Sequence, residues 1–161
     1  MKRILTIIAV VAIGLVFFTS CETSIEENGV GKHKGHEYVD LGLPSGLKWA
    51  TCNVGADTPE EYGGYFAWGE VKSKEYYDWS TYKYGVEANK LTKYCDNSNF
   101  GDNGFADNKT VLASEDDAAA ANWGGKWRMP TAAEQDELRN NCTWTWTTQN
   151  GVNGYKVTET Q

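Results

Sequence analysis

The sequence predicts an α+β protein in which short strands, two helices and long irregular loops are mixed. Two pairs of alternating apolar segments, each joined by turn residues, predict two β-hairpins. Two segments that begin with a capping residue and continue with good helix formers predict the helices. Residues 71–110 show no period and are rich in Tyr, Asn and Asp, which is typical of a long loop over a core.

The first hairpin is predicted over residues 37–54. The segments "EYVDLGL" (37–43) and "LKWATCNV" (47–54) carry the strands, and "PSG" between them supplies the turn. The next stretch, "ADTPEEYGG" (56–64), predicts a loop or a single helical turn. The segment "YFAWGE" (65–70) predicts a short aromatic strand.

The two helices are predicted from their first turns. In "SEDDAAAANW" (114–123), Ser114 is the expected cap, the alanines favour helix, and the following "GG" ends it. In "PTAAEQDELRNNC" (130–142), Thr131 is the expected N-cap and Glu134 lies three residues later, which is the pattern of a capping box.

The second hairpin is predicted near the end of the chain. The segments "TWTW" (143–146) and "YKVT" (155–158) alternate as strands, and "QNGVNG" (149–154) predicts the turn. The last strand would begin to pair just where the chain stops at Gln161. We therefore expect an unpaired sheet edge and a natural domain that is longer than this chain.

The first twenty residues have the pattern of an export signal. A basic start precedes an apolar run over residues 4–18, which is shorter than the roughly 20 residues that span a bilayer. Two small residues then come directly before Cys21. This arrangement resembles a bacterial lipoprotein signal, which implies a diacylglyceryl group on the Cys21 sulfur and cleavage before it. An ordinary signal peptide cut near Ser20 and a retained membrane anchor are the alternatives.

Residues 21–36 predict a linker between the lipid and a domain over residues 37–161. Its acidic start resembles the export signals that send lipoproteins to the outer surface of the cell, and a plain solvated linker is the alternative. Residues 1–20 carry two positive charges and no acid, so their removal would change the net charge from −7 to −9. Such an acidic chain lacks the basic surface that nucleic acid requires, so no nucleic-acid partner is predicted.

Three segments carry a family resemblance: "EYVDLGLPSGLKWATCNVGA" (37–56), "GGYFAWGE" (63–70) and "NWGGKWRMPTAAEQDEL" (122–138). They resemble the Fibrobacter succinogenes major paralogous domain, which is found in surface lipoproteins of gut and rumen bacteria. The last segment is also similar, more distantly, to formylglycine-generating enzymes and C-type-lectin-like domains. The resemblance implies a C-type-lectin-like fold with a small twisted sheet. The residues expected to form the fold within it are Trp127, Arg128, Pro130, Thr131 and Glu134.

The oxidase activity of the formylglycine-generating enzymes is not implied for this chain, because nothing here matches their distal cysteines. Nucleophilic catalysis by a thiol needs a neighbouring base, and the two histidines, His33 and His36, lie in the predicted linker. Cys52, Cys95 and Cys142 allow at most one disulfide. Three buried free thiols are the alternative.

Two acidic features are candidates for chemistry. Glu70 follows a run of aromatic residues and is the candidate acid of a polysaccharide hydrolase, which needs two carboxylates about 5–10 Å apart. A structural carboxylate held by Arg or backbone N–H groups is the favoured interpretation. The loop "DNSNFGDNGFAD" (96–107) fails the calcium-loop pattern at Phe100, so no metal and no cofactor are predicted, with a nonstandard calcium site as the alternative.

The ligand-binding residues predicted from the sequence are all aromatic: Trp68, Tyr76, Tyr77, Trp79 and Tyr82. Exposed rings can stack on sugars or anchor a protein. A cover over the sheet is the favoured alternative for the rings that follow residue 75. The leading hypothesis is a non-enzymatic, lipid-anchored protein of the outer membrane and cell surface that binds glycan or protein. A polysaccharide hydrolase and a structural module without its own ligand are the other hypotheses.

Overall fold

The computed structural model describes residues 4–7, 12–13 and 29–160. Cys21, the acidic part of the predicted linker and most of the predicted signal lie outside these residues. The described chain is a small mixed α+β protein with small antiparallel sheets and few helices. None of the helices in these ranges has the length and apolarity needed to cross a bilayer.

The described elements follow one another in this order: β1 (Ile4–Ile7), β2 (Ala12–Ile13), β3 (Val30–His33), β4 (His36–Asp40), β5 (Lys48–Ala50), α1 (Ala118–Trp123), β6 (Trp127–Arg128), α2 (Ala132–Asn141), β7 (Cys142–Gln149) and β8 (Val152–Glu159). Two 3₁₀ turns lie at Asp102–Gly104 and Ser114–Asp116. One sheet has the strand order β3-β4-β5-β2-β6, and the other has the order β1-β8-β7. All strand pairs are antiparallel.

The first predicted hairpin is confirmed, since β4 pairs with β5 in a register that puts Val39 opposite Trp49. The predicted linker is too long. Residues 30–33 form β3, which pairs with β4 through a tight turn in which Lys34 and Gly35 both have positive φ. The folded part therefore begins before residue 37. The strand predicted over 65–70 is wrong, because these residues form turns and coil.

The second hairpin is also confirmed, and its strands are longer than predicted. The turn is reduced to Asn150 and Gly151, whose φ values of 49° and 81° suit the tight hairpin geometry that an Asn-Gly pair favours. The expected free edge of β8 is filled. Strand β1 pairs with it from Ile4 opposite Thr158 to Ile7 opposite Tyr155.

Strands β1 and β2 both come from the segment that the sequence predicts to be an export signal. Strand β1 covers the edge of β8, and β2 lies between β5 and β6. Cleavage before Cys21 would remove both strands and leave these two positions in the sheets without a strand.

Both faces of the larger sheet are covered, and the alternation of side chains along β4 and β5 explains how. Val39 and Trp49 point into a cluster that includes Leu138 of α2 and Val157 of β8. Their neighbours Tyr38 and Ala50 point to the other face, into a second cluster: Tyr38, Ala50, Val54, Ala119, Trp123 and Trp127. Residues of α1 therefore cover one face, and residues of α2, β7 and β8 cover the other.

Helix α2 begins with the capping box that the sequence predicts. The Thr131 side chain accepts from the Glu134 N–H at 3.3 Å, and the Glu134 carboxylate accepts from the Thr131 N–H at 2.7 Å. The same carboxylate makes a two-pronged ion pair with the Arg128 guanidinium, at 2.8 and 2.5 Å. The bonds from Arg128 lower the pKa of Glu134 to about 2. Glu134 thus joins β6 to the start of α2.

Helix α1 is shorter than predicted, and Ser114 is not its cap. Residues 114–116 form a separate 3₁₀ turn, and Asp117 is the N-cap of the helix. One Asp117 oxygen accepts from Ala119 N at 2.9 Å and Ala120 N at 3.0 Å, while the other accepts from Met129 N at 2.7 Å. A single buried carboxylate therefore caps α1 and attaches it to the residues after β6.

Candidate functional site

The five predicted aromatic residues lie on one surface loop, which we call the aromatic ledge: Trp68, Tyr76, Tyr77, Trp79 and Tyr82. Four of them expose between 44% and 65% of their area, and Tyr82 is partly buried. The interpretation of Tyr76, Tyr77 and Trp79 as a buried cover over the sheet is therefore wrong. Large rings that remain in contact with solvent offer flat apolar surface to a ligand.

Hydroxyl groups fix two rings of the aromatic ledge, Tyr77 and Tyr82. The Tyr82 hydroxyl donates to the Trp68 carbonyl at 3.0 Å. The Tyr77 hydroxyl donates to the Tyr65 carbonyl and accepts from the Lys74 N–H at 3.0 Å. Because these bonds order the Tyr77 and Tyr82 side chains, those two rings would lose little conformational entropy on binding a ligand.

A buried carboxylate anchors the far side of this loop. The Asp116 side chain is only 2% exposed and accepts from the ammonium groups of Lys83 and Lys93 and from the hydroxyls of Tyr84 and Tyr94. The Tyr84 and Tyr94 rings meet edge to face at 5.6 Å. Burial alone would raise the pKa of Asp116, but the four donated bonds outweigh it and hold the pKa well below its ordinary value.

A cleft of about 660 Å³ lies next to the aromatic ledge. Its walls come from α1, β4 and the loop segments around residues 54, 64 and 72, as follows: His36, Val54, Gly55, Gly63, Gly64, Phe66, Val71, Lys72, Ser73, Asn122 and Trp123. Two of these segments lead into the aromatic ledge, since Phe66 lies two residues before Trp68 and Ser73 lies three residues before Tyr76. The volume is typical of small-molecule sites.

One wall of the cleft is a stack of rings. The His36 imidazole lies parallel to the Trp123 indole, with centroids 4.1 Å apart, and Trp123 meets Trp127 edge to face at 4.9 Å. The backbone carbonyl of His33 accepts from the Trp127 indole N–H at 2.9 Å, and its ring nitrogen accepts from the Lys126 N–H at 3.0 Å. The histidines that the sequence places in a linker are thus packed against the core.

Burial lowers the pKa of both histidines, and positive charge on Lys126 and Lys34 lowers that of His33 further. Both imidazoles are therefore neutral at neutral pH, and a neutral imidazole has one donor and one acceptor nitrogen.

Glycine at position 63 allows the cleft to form. Its φ is +68°, and a Cβ atom there would lie 2.6 Å from the Val54 carbonyl oxygen. Glycine is the only residue type that accommodates this backbone conformation together with so close an approach. The contact is completed by the Gly64 N–H, which donates to the Val54 carbonyl at 2.7 Å.

Glu70 is held as a structural carboxylate. One of its oxygens accepts from the Lys74 ammonium at 2.8 Å and from the Lys83 N–H at 2.8 Å. The favoured interpretation is right about the backbone N–H, while the cation is a lysine instead of an arginine. Through these bonds, Glu70 attaches residue 83 to the start of the loop.

The cysteines of residues 29–160 are all free thiols: Cys52, Cys95 and Cys142. The Cys52 thiol donates to the Ala56 carbonyl at 3.5 Å. Burial raises the pKa of Cys52 and of Cys142, and nearby carboxylates raise both further. These two thiols lack the electropositive surroundings that activate a cysteine nucleophile.

The acidic loop over residues 96–107 uses its last carboxylate for its own backbone. Asp107 accepts from the N–H groups of Tyr94, Cys95 and Lys109 at 2.9 to 3.2 Å. Across the part of the chain that the structure describes, no three His, Cys, Asp or Glu side chains form a group that could hold a metal ion.

Comparison of the chain with family models, with curated proteins and with solved structures gives no match. The cleft residues His36 and Trp123 and the anchor Asp116 were not predicted as site residues from the sequence. The pair Lys34-Gly35 between alternating residues is a weak hairpin signal that points to β3 and to the position of His36. Asp116 gives no such signal, because its partners are 22 to 33 residues away.

Proposed function

We propose that this protein is a lipid-anchored cell-surface protein that binds glycan through the aromatic ledge and does not catalyse a reaction. The observation that carries the proposal is a set of exposed rings on one loop, in which the Tyr77 and Tyr82 hydroxyls donate to backbone carbonyls. The flat faces of sugar rings are apolar, and aromatic side chains that are already ordered stack on them at low entropic cost.

The antiparallel sheets, short helices and long loop suit the C-type-lectin-like fold of the Fibrobacter succinogenes major paralogous domain, and we include this family in the proposal. The absence of catalysis is supported by the side chains that were candidates for it. Glu70 is ion-paired with Lys74, and the thiols of Cys52 and Cys142 have raised pKa values.

Replacing exposed rings is expected to weaken glycan binding. Trp68→Ala, Tyr76→Ala and Trp79→Ala should each weaken binding about fivefold, because one stacked ring contributes roughly 1 kcal/mol. Affinity electrophoresis of the full chain in detergent, against xylan, galactan, methyl-esterified pectin and mucin, measures the effect.

The matched control is Trp146→Ala, which removes a ring that is 62% exposed on β7, in the other sheet. It should leave binding unchanged. Retardation by none of the polysaccharides, or equal losses in Trp79→Ala and Trp146→Ala, would contradict glycan binding at the aromatic ledge.

The lipid anchor is tested at Cys21. We expect radiolabelled palmitate to enter the wild-type chain and not the Cys21→Ser chain, because the thioether on this sulfur precedes cleavage and the later acylation. Cys52→Ser, which removes a partly exposed thiol of the folded part, is the control and should label like the wild type. Labelling of Cys21→Ser at the wild-type level would refute the anchor.

A further inference from the structure

Lys72 differs from the other lysines of its loop. Five lysines lie between residues 70 and 95, and four of them are paired with carboxylates: Lys74 with Glu70, Lys83 and Lys93 with Asp116, and Lys90 with Glu87. Lys72 is exposed, has no such partner among the described residues, and lines the cleft.

The described lining of the cleft also contains no acid. The chain has 22 Asp and Glu residues against 15 Lys and Arg, yet no acid of residues 29–160 is among the residues that line this opening. Within this range Lys72 is the only charged side chain in the lining.

The other groups of the cleft suit a sugar. The Asn122 amide nitrogen donates to the carbonyls of Val71 and Ala118, at 3.1 and 2.7 Å, which directs the amide plane and leaves its oxygen as an acceptor. The Ser73 hydroxyl and the neutral imidazole of His36 can each donate and accept. Phe66, which is partly buried, supplies an apolar surface.

We propose that this cleft binds the carboxylate-bearing residue of an acidic saccharide, a uronic acid, with Lys72 pairing with the carboxylate. The inference rests on glycan binding as the function of the protein and adds a selectivity to it. The aromatic ledge would hold neighbouring sugars of the same chain, and the cleft would select those chains that carry a negative charge.

Oligogalacturonate and its methyl ester are a matched pair of probes, because they share the sugar chain and differ only in the methyl group that removes the charge of each carboxylate. Isothermal titration of the full chain in detergent should show that the acid binds about tenfold more tightly than the ester, as expected for a charge-assisted hydrogen bond. Lys72→Gln should remove this preference and Lys72→Arg should retain it. Salt at 0.5 M should weaken binding of the acid more than binding of the ester.

Lys90→Gln is the control, since Lys90 is a half-exposed lysine of the same loop that does not line the cleft. Equal binding of acid and ester, or equal losses in Lys72→Gln and Lys90→Gln, would overturn the proposal. In both cases, the proposal of glycan binding at the aromatic ledge would stand if the ester binds and Trp79→Ala weakens that binding. Binding of neither probe would overturn the cleft proposal, and the polysaccharide panel would then decide on the ledge separately.

Discussion

Replacing Asp116 by alanine is expected to lower the free energy of unfolding by about 3 kcal/mol, because it leaves a cluster of donors without their acceptor. The carboxylate is 2% exposed and accepts from Lys83, Lys93, Tyr84 and Tyr94. Its loss leaves two positive charges close together at the base of the loop that carries the aromatic ledge. Urea denaturation followed by tryptophan fluorescence measures the change.

The pH dependence separates this electrostatic role from simple packing. The pKa of Asp116 is lower in the folded chain than its ordinary value of about 4. Its contribution to stability is therefore fully present above that value and is lost as the pH falls through the lower, folded pKa. The stability of the wild type should fall more steeply than that of Asp116→Ala below about pH 4.

Glu115→Ala is the control for both measurements, since it removes an exposed carboxylate from the same 3₁₀ turn. It should change stability by less than about 0.5 kcal/mol. Equal effects of the two substitutions, or parallel acid curves for Asp116→Ala and the wild type, would show that the Asp116 cluster does not stabilise the fold.

Replacing Trp127 by alanine should be at least as damaging, with a loss of about 3–5 kcal/mol. The side chain is 1% exposed, and its ring contacts Trp123 and lies edge-on to His36, two residues that line the cleft. The cavity left by alanine would remove support from the cleft wall. Binding of oligogalacturonate should therefore weaken as well, at a temperature where the variant is still folded.

Trp127→Phe separates the contribution of the aromatic ring to stability from that of the indole hydrogen bond. It keeps an aromatic ring and removes the indole N–H that donates to the His33 carbonyl, so a loss of about 1–2 kcal/mol is expected. Trp146→Ala, on the exposed face of β7, should cost less than about 0.5 kcal/mol. A cost below 1 kcal/mol for Trp127→Ala would contradict the position of this residue in the core.

Elements whose signals lie within a few neighbouring residues were predicted well. The Thr131–Glu134 capping box and the Asn150-Gly151 turn each depend on side chains and backbone groups that are at most three residues apart. The hairpin over 37–54 also follows from its own alternation and its own turn. In all three cases the chain has only a short loop to close, so local preference and the folded structure agree.

The errors occurred where distant groups compete with local preference. Ser114 is a good capping residue, but the buried Asp117 caps α1 because its second oxygen also satisfies Met129 N, twelve residues later. The aromatic segment 65–70 has strand-forming residues, yet the Tyr65 and Trp68 carbonyls accept from Tyr77 and Tyr82 hydroxyls instead of a neighbouring strand. Predictions from local pattern cannot include these partners.

The hairpins, the start of α2 and the aromatic residues of the proposed ligand surface follow from the amino-acid sequence. The sequence also carries the pattern that predicts a lipid on Cys21. The folded chain was needed to show that four of those rings face solvent, that His36 stacks on Trp123, and that Lys72 lines an opening to which residues 29–160 contribute no acid. The physical reason is range: turns and caps form between near neighbours, whereas exposure and the charge around a cleft depend on segments far apart in the chain.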